Sequence, residues 1–470
     1  MRGELRNNVY KDVTGLYTYF SDLSCTQWDC AIKCPEVCVC PPCPGMPPPW
    51  PTPPSENHVL QWFHNFNRAV TLNGPVGHTR FYTSPRRNLE DSKCSRQCDV
   101  FISKMLTDKD GSEIQPNNNH QYSWRDVLVC GELKSNENED CTPDTVIQLA
   151  GYVREVFGSQ VGRRFVHAFT ICGDKMRCYL FDRAGVSSSE AFRITKNEKT
   201  LRLFSHIMYC YATMDAAQMG FDPGYVDNDN NIFIPSSQQR YPAFVKIKDK
   251  RFEIVDMIFY RPAIVSRGTL CWLAKNEEGR DCVVKDAWRS KYRISEGELM
   301  RCATDSGAWG AVDCVLHDDI TIDSHPDEIA SNIRKDLSYD KAKRIKLRII
   351  GTEGLQISET VTGTSNTSKR RLPGQGSKTS KRQKTMAPSS AELPESTSGE
   401  KDGDRVHTRL VFNSVGKPIE TFTSVKHLLE VFRDATKCKM PLLDYCKVAN
   451  TQQVTRTCLR RQTYCTVTYP

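Results

Sequence analysis

No run of about 18 apolar residues occurs anywhere in this 470-residue chain, so no membrane-spanning helix is expected. The first twenty residues lack the uninterrupted apolar core of a secretory signal, because Arg2, Glu4, Arg6, Lys11 and Asp12 are spread through them. The protein therefore reads as intracellular, with no membrane partner. In a reducing compartment its 21 cysteines read as thiols or metal ligands rather than disulfides. Charge of one sign is not in large excess either. A net charge of +8 is modest for this length and does not by itself argue for nucleic acid. A last absence lies toward the C-terminal end, where no Asp or Glu follows Asp444.

What is present reads as two or three domains of ordinary globular composition, with 39% hydrophobic and 26% charged residues. Residues 25–54 hold Cys25, Cys30, Cys34, Cys38, Cys40 and Cys43, then a proline-rich run to Pro54. Cys40 and Cys43 form one CxxC, which suits zinc. Irregular spacing and the lack of a second CxxC leave open a leader that is merely Cys-rich. From about 355 to 405, Thr, Ser, Gly, Pro, Lys and Glu dominate without apolar periodicity, so this stretch reads as a disordered basic linker. Within it stand Lys369, Arg370 and Arg371, then Lys381, Arg382 and Lys384. Two basic clusters on a flexible chain suit a bipartite nuclear import signal and hence an import carrier as partner. A solvated basic loop or a loose nucleic-acid contact is the alternative.

The segment from about 60 to 255 reads as α/β. Asp99 to Ile102 and Trp124 to Lys134 look like buried strands. A helix follows Pro143, with Asp144 as a plausible N-cap, Val146, Leu149, Ala150 and Val153 on one face, and Gly158 as its stop. Phe165 to Thr170 and Met176 to Phe181 read as strands joined across Gly173-Asp174. Asp99 opens one strand, Glu132 and Lys134 share a face of the next, and Gln148 and Tyr152 share a helix face. Two carboxylates and a lysine meeting at strand ends can hold Mg²⁺ and activate water for phosphodiester attack. Over residues 90–160 the order resembles the PD-(D/E)XK nuclease superfamily, in its branch with a Gln-x-x-x-Tyr helix. That resemblance implies a metal at Asp99 and Glu132; Cys98 replaces the motif proline. The bland alternative is an ordinary Glu132–Lys134 surface pair, since a bare ExK is common.

A second pattern begins near Ile258. Arg267-Gly268-Thr269 separates two candidate strands, and only Gly268 remains of a glycine-rich phosphate loop. Cys282-Val283-Val284-Lys285 is an apolar strand ending in lysine, the element that sets an ammonium against the α and β phosphates of ATP. Eleven residues later Glu296 opens a helix with Leu299, Met300 and Ala303 on one face, and its carboxylate can reach Lys285. Glu298 competes as partner but points about 200° around that helix. Further on, Thr408 to Phe412 reads as a strand leading to a hinge over Asn413 to Pro418. Ser424 caps a helix with Val425, Leu428, Leu429 and Phe432 on one face.

The stretches Trp124 to Lys134, Arg163 to Val166, Phe181 to Gly185, Val284 to Arg289, Glu296 to Leu299 and Leu428 to Ala435 together resemble the fungal-type protein kinase family. The resemblance runs over roughly residues 90–445. It implies a Ser/Thr phosphotransferase fold using ATP and Mg²⁺, with a protein substrate, Lys285 as the phosphate-binding lysine and Glu296 as its partner. It also calls for a His-Arg-Asp loop and a metal-binding Asp after the helix at 425–436, and the residues from Lys447 to Pro470 contain neither.

The expected architecture is thus mixed α+β and α/β. It comprises a leader over 1–60 read as disordered, a PD-(D/E)XK-like α/β domain over 61–255, and a kinase-like amino lobe over 256–350. The linker over 351–405, a hinge strand and helix over 406–445, and an aberrant tail over 446–470 complete it, most of a carboxy lobe being absent. The expected function is that of a protein kinase inactive or truncated in this form; the alternatives are a nuclear pseudokinase or binding module, and a Mg²⁺-dependent nuclease.

Overall fold

The computed structural model describes residues 1–17, 48–69, 73–347 apart from short breaks, 404–416 and 421–434. The Cys25–Cys43 leader, the basic clusters at 369–371 and 381–384, and the tail from 446 lie outside the described residues. The fold is a mixed α+β one, carried by two large sheets. No helix among the described residues is long and apolar enough to cross a membrane.

The first sheet contains β1 (Val9–Lys11), β2 (Gly77–Ser84), β3 (Cys98–Lys104), β4 (Val129–Lys134), β5 (Phe165–Cys172), β6 (Lys175–Asp182) and β7 (Gly185–Ser188). Across the sheet the order is Lys343–Arg344, β1, β7, β6, β5, β4, β3, β2 and Asn73–Gly74, with Phe192–Arg193 paired to β6. β4 and β5 run parallel, and the helix α2 introduced below makes the crossover between them. Their near-continuous apolar runs are explained by burial on both faces. On one face lie α1 (Glu56–Ala69) and α3 (Glu198–Thr213), packing Trp62, Phe63, Phe66, Phe204 and Ile207 on Val129, Phe165 and Phe169. On the other lies α2 (Pro143–Ser159), packing Val146, Leu149, Val153 and Phe157 on Cys130, Val166 and Ala168.

The ends of α2 differ from the sequence reading. Thr142 is the N-cap, its hydroxyl accepting from the Thr145 N–H at 3.3 Å, and Pro143 takes the first helical position, where a missing N–H costs nothing. Asp144 therefore lies in the first turn, where its charge suits the helix dipole and Arg2 meets it. The helix passes Gly158 and stops at Gln160, whose side-chain amide donates to the carbonyls of Trp124, Arg125 and Val127.

The segment read as a leader over 1–60 is also corrected. Residues Val9–Lys11 form a strand between β7 and Lys343–Arg344, and Leu5, Val9 and Trp50 are buried in the cores of the first sheet. Short apolar insertions into an existing sheet carry too little periodicity to be seen in sequence.

The second sheet is wholly antiparallel. It contains β8 (Phe244–Ile247), β9 (Lys250–Tyr260), β10 (Leu270–Lys275), β11 (Asp281–Ser290), β12 (Cys314–Asp319) and β13 (Arg405–Phe412). Its order is Tyr225–Val226, β8, β9, β10, β11, β13, β12. A boundary at 255/256 would cut through β9 and separate Glu253 and Ile254 from their partners Lys275 and Ala274 on β10. A boundary at 350 would keep Lys343–Arg344 with the second sheet, although these residues pair with β1 of the first. One face of the second sheet buries Trp272, Val284, Val245 and Val411. Against the other lies α4 (Glu296–Asp305), close enough that a Cβ at Gly297 would come within 2.1 Å of the His317 ring on β12. Residues 425–434 are helical; the Ser424 hydroxyl accepts from the His427 N–H at 3.1 Å, and Val425, Leu429 and Phe432 are exposed.

Candidate nucleotide site and neighbouring charge clusters

Lys285 is central to the second sheet, facing Cys271 on β10 and Leu410 on β13 in the strand register. Strand alternation turns Lys285 and Asp286 to opposite faces, so the ammonium emerges on the α4 side. There it meets Glu296, with Nζ 2.5 Å from Oε1. Both side chains keep some solvent exposure, 18% for Lys285 and 13% for Glu296, so a ligand can reach them. Glu298 is engaged elsewhere. Its carboxylate accepts from the N–H and hydroxyl of Ser295, and the Ser295 hydroxyl accepts from the Glu298 N–H, a reciprocal capping box that fixes the start of α4. The choice between Glu296 and Glu298 is therefore decided by the helix cap.

Gly268 is placed differently. Its φ of +50° suits glycine, and its N–H donates to the Ser266 hydroxyl at 2.9 Å. A Cβ there would lie 3.0 Å from Arg183 Nε, so the loop tip leans on the first sheet. The rest of loop 261–269 is tied down in the same direction. Arg183 donates to the Ala263 carbonyl at 2.6 Å, Glu4 accepts from the Ile264 and Val265 N–H groups, and Ile264 is wholly buried in the α2-side core.

Asp99, Glu132, Lys134, Gln148 and Tyr152 come together on the α2 face of the first sheet. Lys134 Nζ lies 2.5 Å from Glu132 Oε1 and donates to Gln148 Oε1 at 3.0 Å; Gln148 Nε2 donates to the Tyr152 hydroxyl at 3.1 Å. Asp99 accepts from the Leu133 N–H at 3.0 Å. Glu132 is fully buried, and neither of its oxygens receives a well-aligned hydrogen bond; its contact with Lys134 is an ion pair of poor hydrogen-bond geometry. Burial, then the neighbouring Glu132 carboxylate, push the Asp99 carboxyl up to about 7. Burial also raises Glu132, partly offset by Lys134 and Tyr152. Burial opposes the Lys134 charge, but the carboxylates beside it win and raise its pKa.

A third cluster was not legible in the sequence. Where the two sheets meet, a chain of buried charges runs Arg164, Asp327, His407, Asp286, Arg409, Asp222. Arg164 holds Asp327 through Nη2 at 2.5 Å and Nε at 2.9 Å. His407 lies 3.0 Å from Asp327 through Nδ1 and 2.8 Å from Asp286 through Nε2. Arg409 Nη2 lies 2.7 Å from Asp286 and 2.5 Å from Asp222. Burial works against a charged His407, but the Asp286 and Asp327 carboxylates overcome it and bring its pKa up to about 9. Asp286 is held well below the usual carboxylate range despite its burial, because Arg409 and His407 flank it. Asp222, Asp286 and His407 are close enough to ligate one ion, yet Arg409 already bridges the two carboxylates and stands in the cation's place. The only sequence signal was Arg405, His407 and Arg409 alternating along one strand.

An antiparallel sheet whose inner-strand lysine is paired with the first glutamate of a packed helix is the nucleotide-gripping arrangement of protein kinases. The model of the family described as "Fungal protein kinase" matches residues 98–449, well over half of the chain. The chain belongs to that family. No curated protein and no solved structure matches it.

Proposed function

We propose that the second sheet grips the phosphates of ATP, as the amino lobe of a protein kinase of the fungal type. The observation that carries this reading is the Lys285–Glu296 pair at 2.5 Å, held in register by β10, β13 and the Ser295–Glu298 cap. Lys285 would neutralise the α and β phosphates, and Glu296 would keep its ammonium in place. ATP with Mg²⁺ supplies a transferable γ-phosphoryl group when bound. Transfer to a protein Ser or Thr further requires a catalytic Asp and a metal-binding Asp, and no acid stands among residues 445–470. Residues 98–434 thus account for nucleotide binding rather than transfer, and the function proposed for them is that of a nucleotide-binding, pseudokinase-like lobe. The test is titration with a fluorescent ATP analogue beside a phosphotransfer assay with labelled ATP. Saturable binding that Lys285→Met abolishes, without transfer, is expected; binding that Lys285→Met leaves intact would overturn the reading.

A second reading is favoured by the convergence of Asp99, Glu132, Lys134, Gln148 and Tyr152. The two carboxylates would hold Mg²⁺, the buried Glu132 oxygens without aligned donors fitting a metal, and Lys134 would steady a phosphodiester. Purified protein that cleaves DNA with Mg²⁺ would support it, provided the Glu132→Ala, Lys134→Ala double variant does not. Equal cleavage by that variant would end the idea.

A further inference from the structure

The junction between the sheets buries more positive charge than negative. The chain Arg164, Asp327, His407, Asp286, Arg409, Asp222 balances, with three cations against three carboxylates when His407 is protonated. Beside it stand two further guanidiniums, Arg163 at 1% exposure and Arg183 at 2%, for which no carboxylate partner is found among the described residues. Arg163 donates to Gln160 Oε1 at 2.8 Å and to the carbonyls of Phe165 and Leu128, both at 3.2 Å. Arg183 donates through Nη1 to Ala263 and through Nη2 to the Arg163 carbonyl at 3.1 Å; the neutral Tyr260 hydroxyl lies near the guanidinium, and no acceptor is aligned with the buried Nε. The nearby acids are engaged: Asp182 is held by both Arg334 nitrogens at 2.5 and 2.7 Å, and Glu4 accepts from Ile264 and Val265.

Carbonyl dipoles and the Phe157 and Phe221 rings under these guanidiniums soften the cost of burial but supply no counter-charge. An uncompensated buried ion costs several kcal/mol, so the place is strongly selective for a negative charge. Arg163, Arg164, Arg183 and His407 all line one small cavity, together with Asp286 and Trp288. Asp286 does not repel an anion there at full strength, since His407 and Arg409 flank its carboxylate. The cavity leaves about 20 Å³ for the centre of a water-sized sphere, enough to admit a small inorganic ion.

We infer that this cavity is a binding site for a small inorganic anion, with chloride as the probe, seated beside Arg183 between the two sheets. The ion ties Arg183 to its surroundings and, through the Gly268 contact, steadies loop 261–269 against the first sheet. This holds whether or not the Lys285 face binds ATP, because the cavity lies on the opposite face of β11.

The test is thermal unfolding of the full chain in sodium chloride and in sodium isethionate at one fixed ionic strength. The midpoint should rise saturably with chloride, by a few degrees overall, and stay flat in isethionate. Arg183→Gln should lose the chloride response. Should that variant not fold, crystals of the unaltered chain soaked in bromide decide the matter: an anomalous peak beside Arg183 Nε is expected. Equal midpoints in the two salts, a chloride response undiminished in Arg183→Gln, or bromide only at other places would each overturn the inference.

Discussion

Two lysine–glutamate pairs of the same length, 2.5 Å, sit in the two sheets and are built in opposite ways. Lys134 and Glu132 are two residues apart on one strand, so the pleat forces them together whatever else the protein does. Lys285 and Glu296 are brought together only when α4 docks on β12, which depends on Gly297 clearing His317 and on the Ser295–Glu298 cap. In the first pair Glu132 is fully buried while Lys134 reaches solvent; in the second both ends keep some exposure. A locally forced pair can thus bury its carboxylate completely, whereas a pair assembled by docking depends on contacts made outside the pair.

The comparison can be broken most severely at the junction that joins the sheets. Arg409→Met should cost about 3–5 kcal/mol, because it leaves Asp222 and Asp286 buried and short of a partner; chemical denaturation measures it. Next in size is the effect on ligand. Lys285→Met should weaken binding of an ATP analogue at least about tenfold, while Lys134→Met leaves that affinity unchanged. Equal effects of the two substitutions would mean that Lys285 has no special role in holding nucleotide.

Titration sharpens it further. Asp99 has a folded pKa near 7, above its unfolded value near 3.8, so the folded state holds that proton more tightly. Its stabilising contribution is full below about pH 4 and is lost as pH rises toward 7. Asp99→Asn should flatten the stability profile over that window. His407 has a folded pKa near 9 against 6.5, so its contribution is present below 6.5 and fades as pH rises through 9. His407→Gln should remove that alkaline limb, read from unfolding midpoints between pH 6 and 10. The smallest expected effect belongs to the cap: Ser295→Ala should cost about 1 kcal/mol, with a matching loosening of α4 seen as faster amide exchange at Leu299 and Met300.

Much of both pairs was legible because strands and helices impose fixed periods. Lys134 was placed beside Glu132, Gln148 beside Tyr152, and Lys285 beside Glu296 by counting residues alone. The end of α2 was misjudged because a Gly in a helix costs only about 1 kcal/mol, less than the packing of Phe157 returns. The leader was misjudged because Val9 and Tyr10 find their strand partners, Val186 and Ser187, on β7 far along the chain.

By itself the sequence determined the strand lysines, the helix that carries Glu296 and the membership of the family, since each rests on patterns within a dozen residues or on ordered motifs along the chain. Only the tertiary structure decided that loop 261–269 leans on the first sheet, and that Arg164, Asp222, Asp286, Asp327, His407 and Arg409 form one network. These residues span nearly 250 positions, and charges that far apart along the chain acquire an interaction energy only when folding removes the water between them.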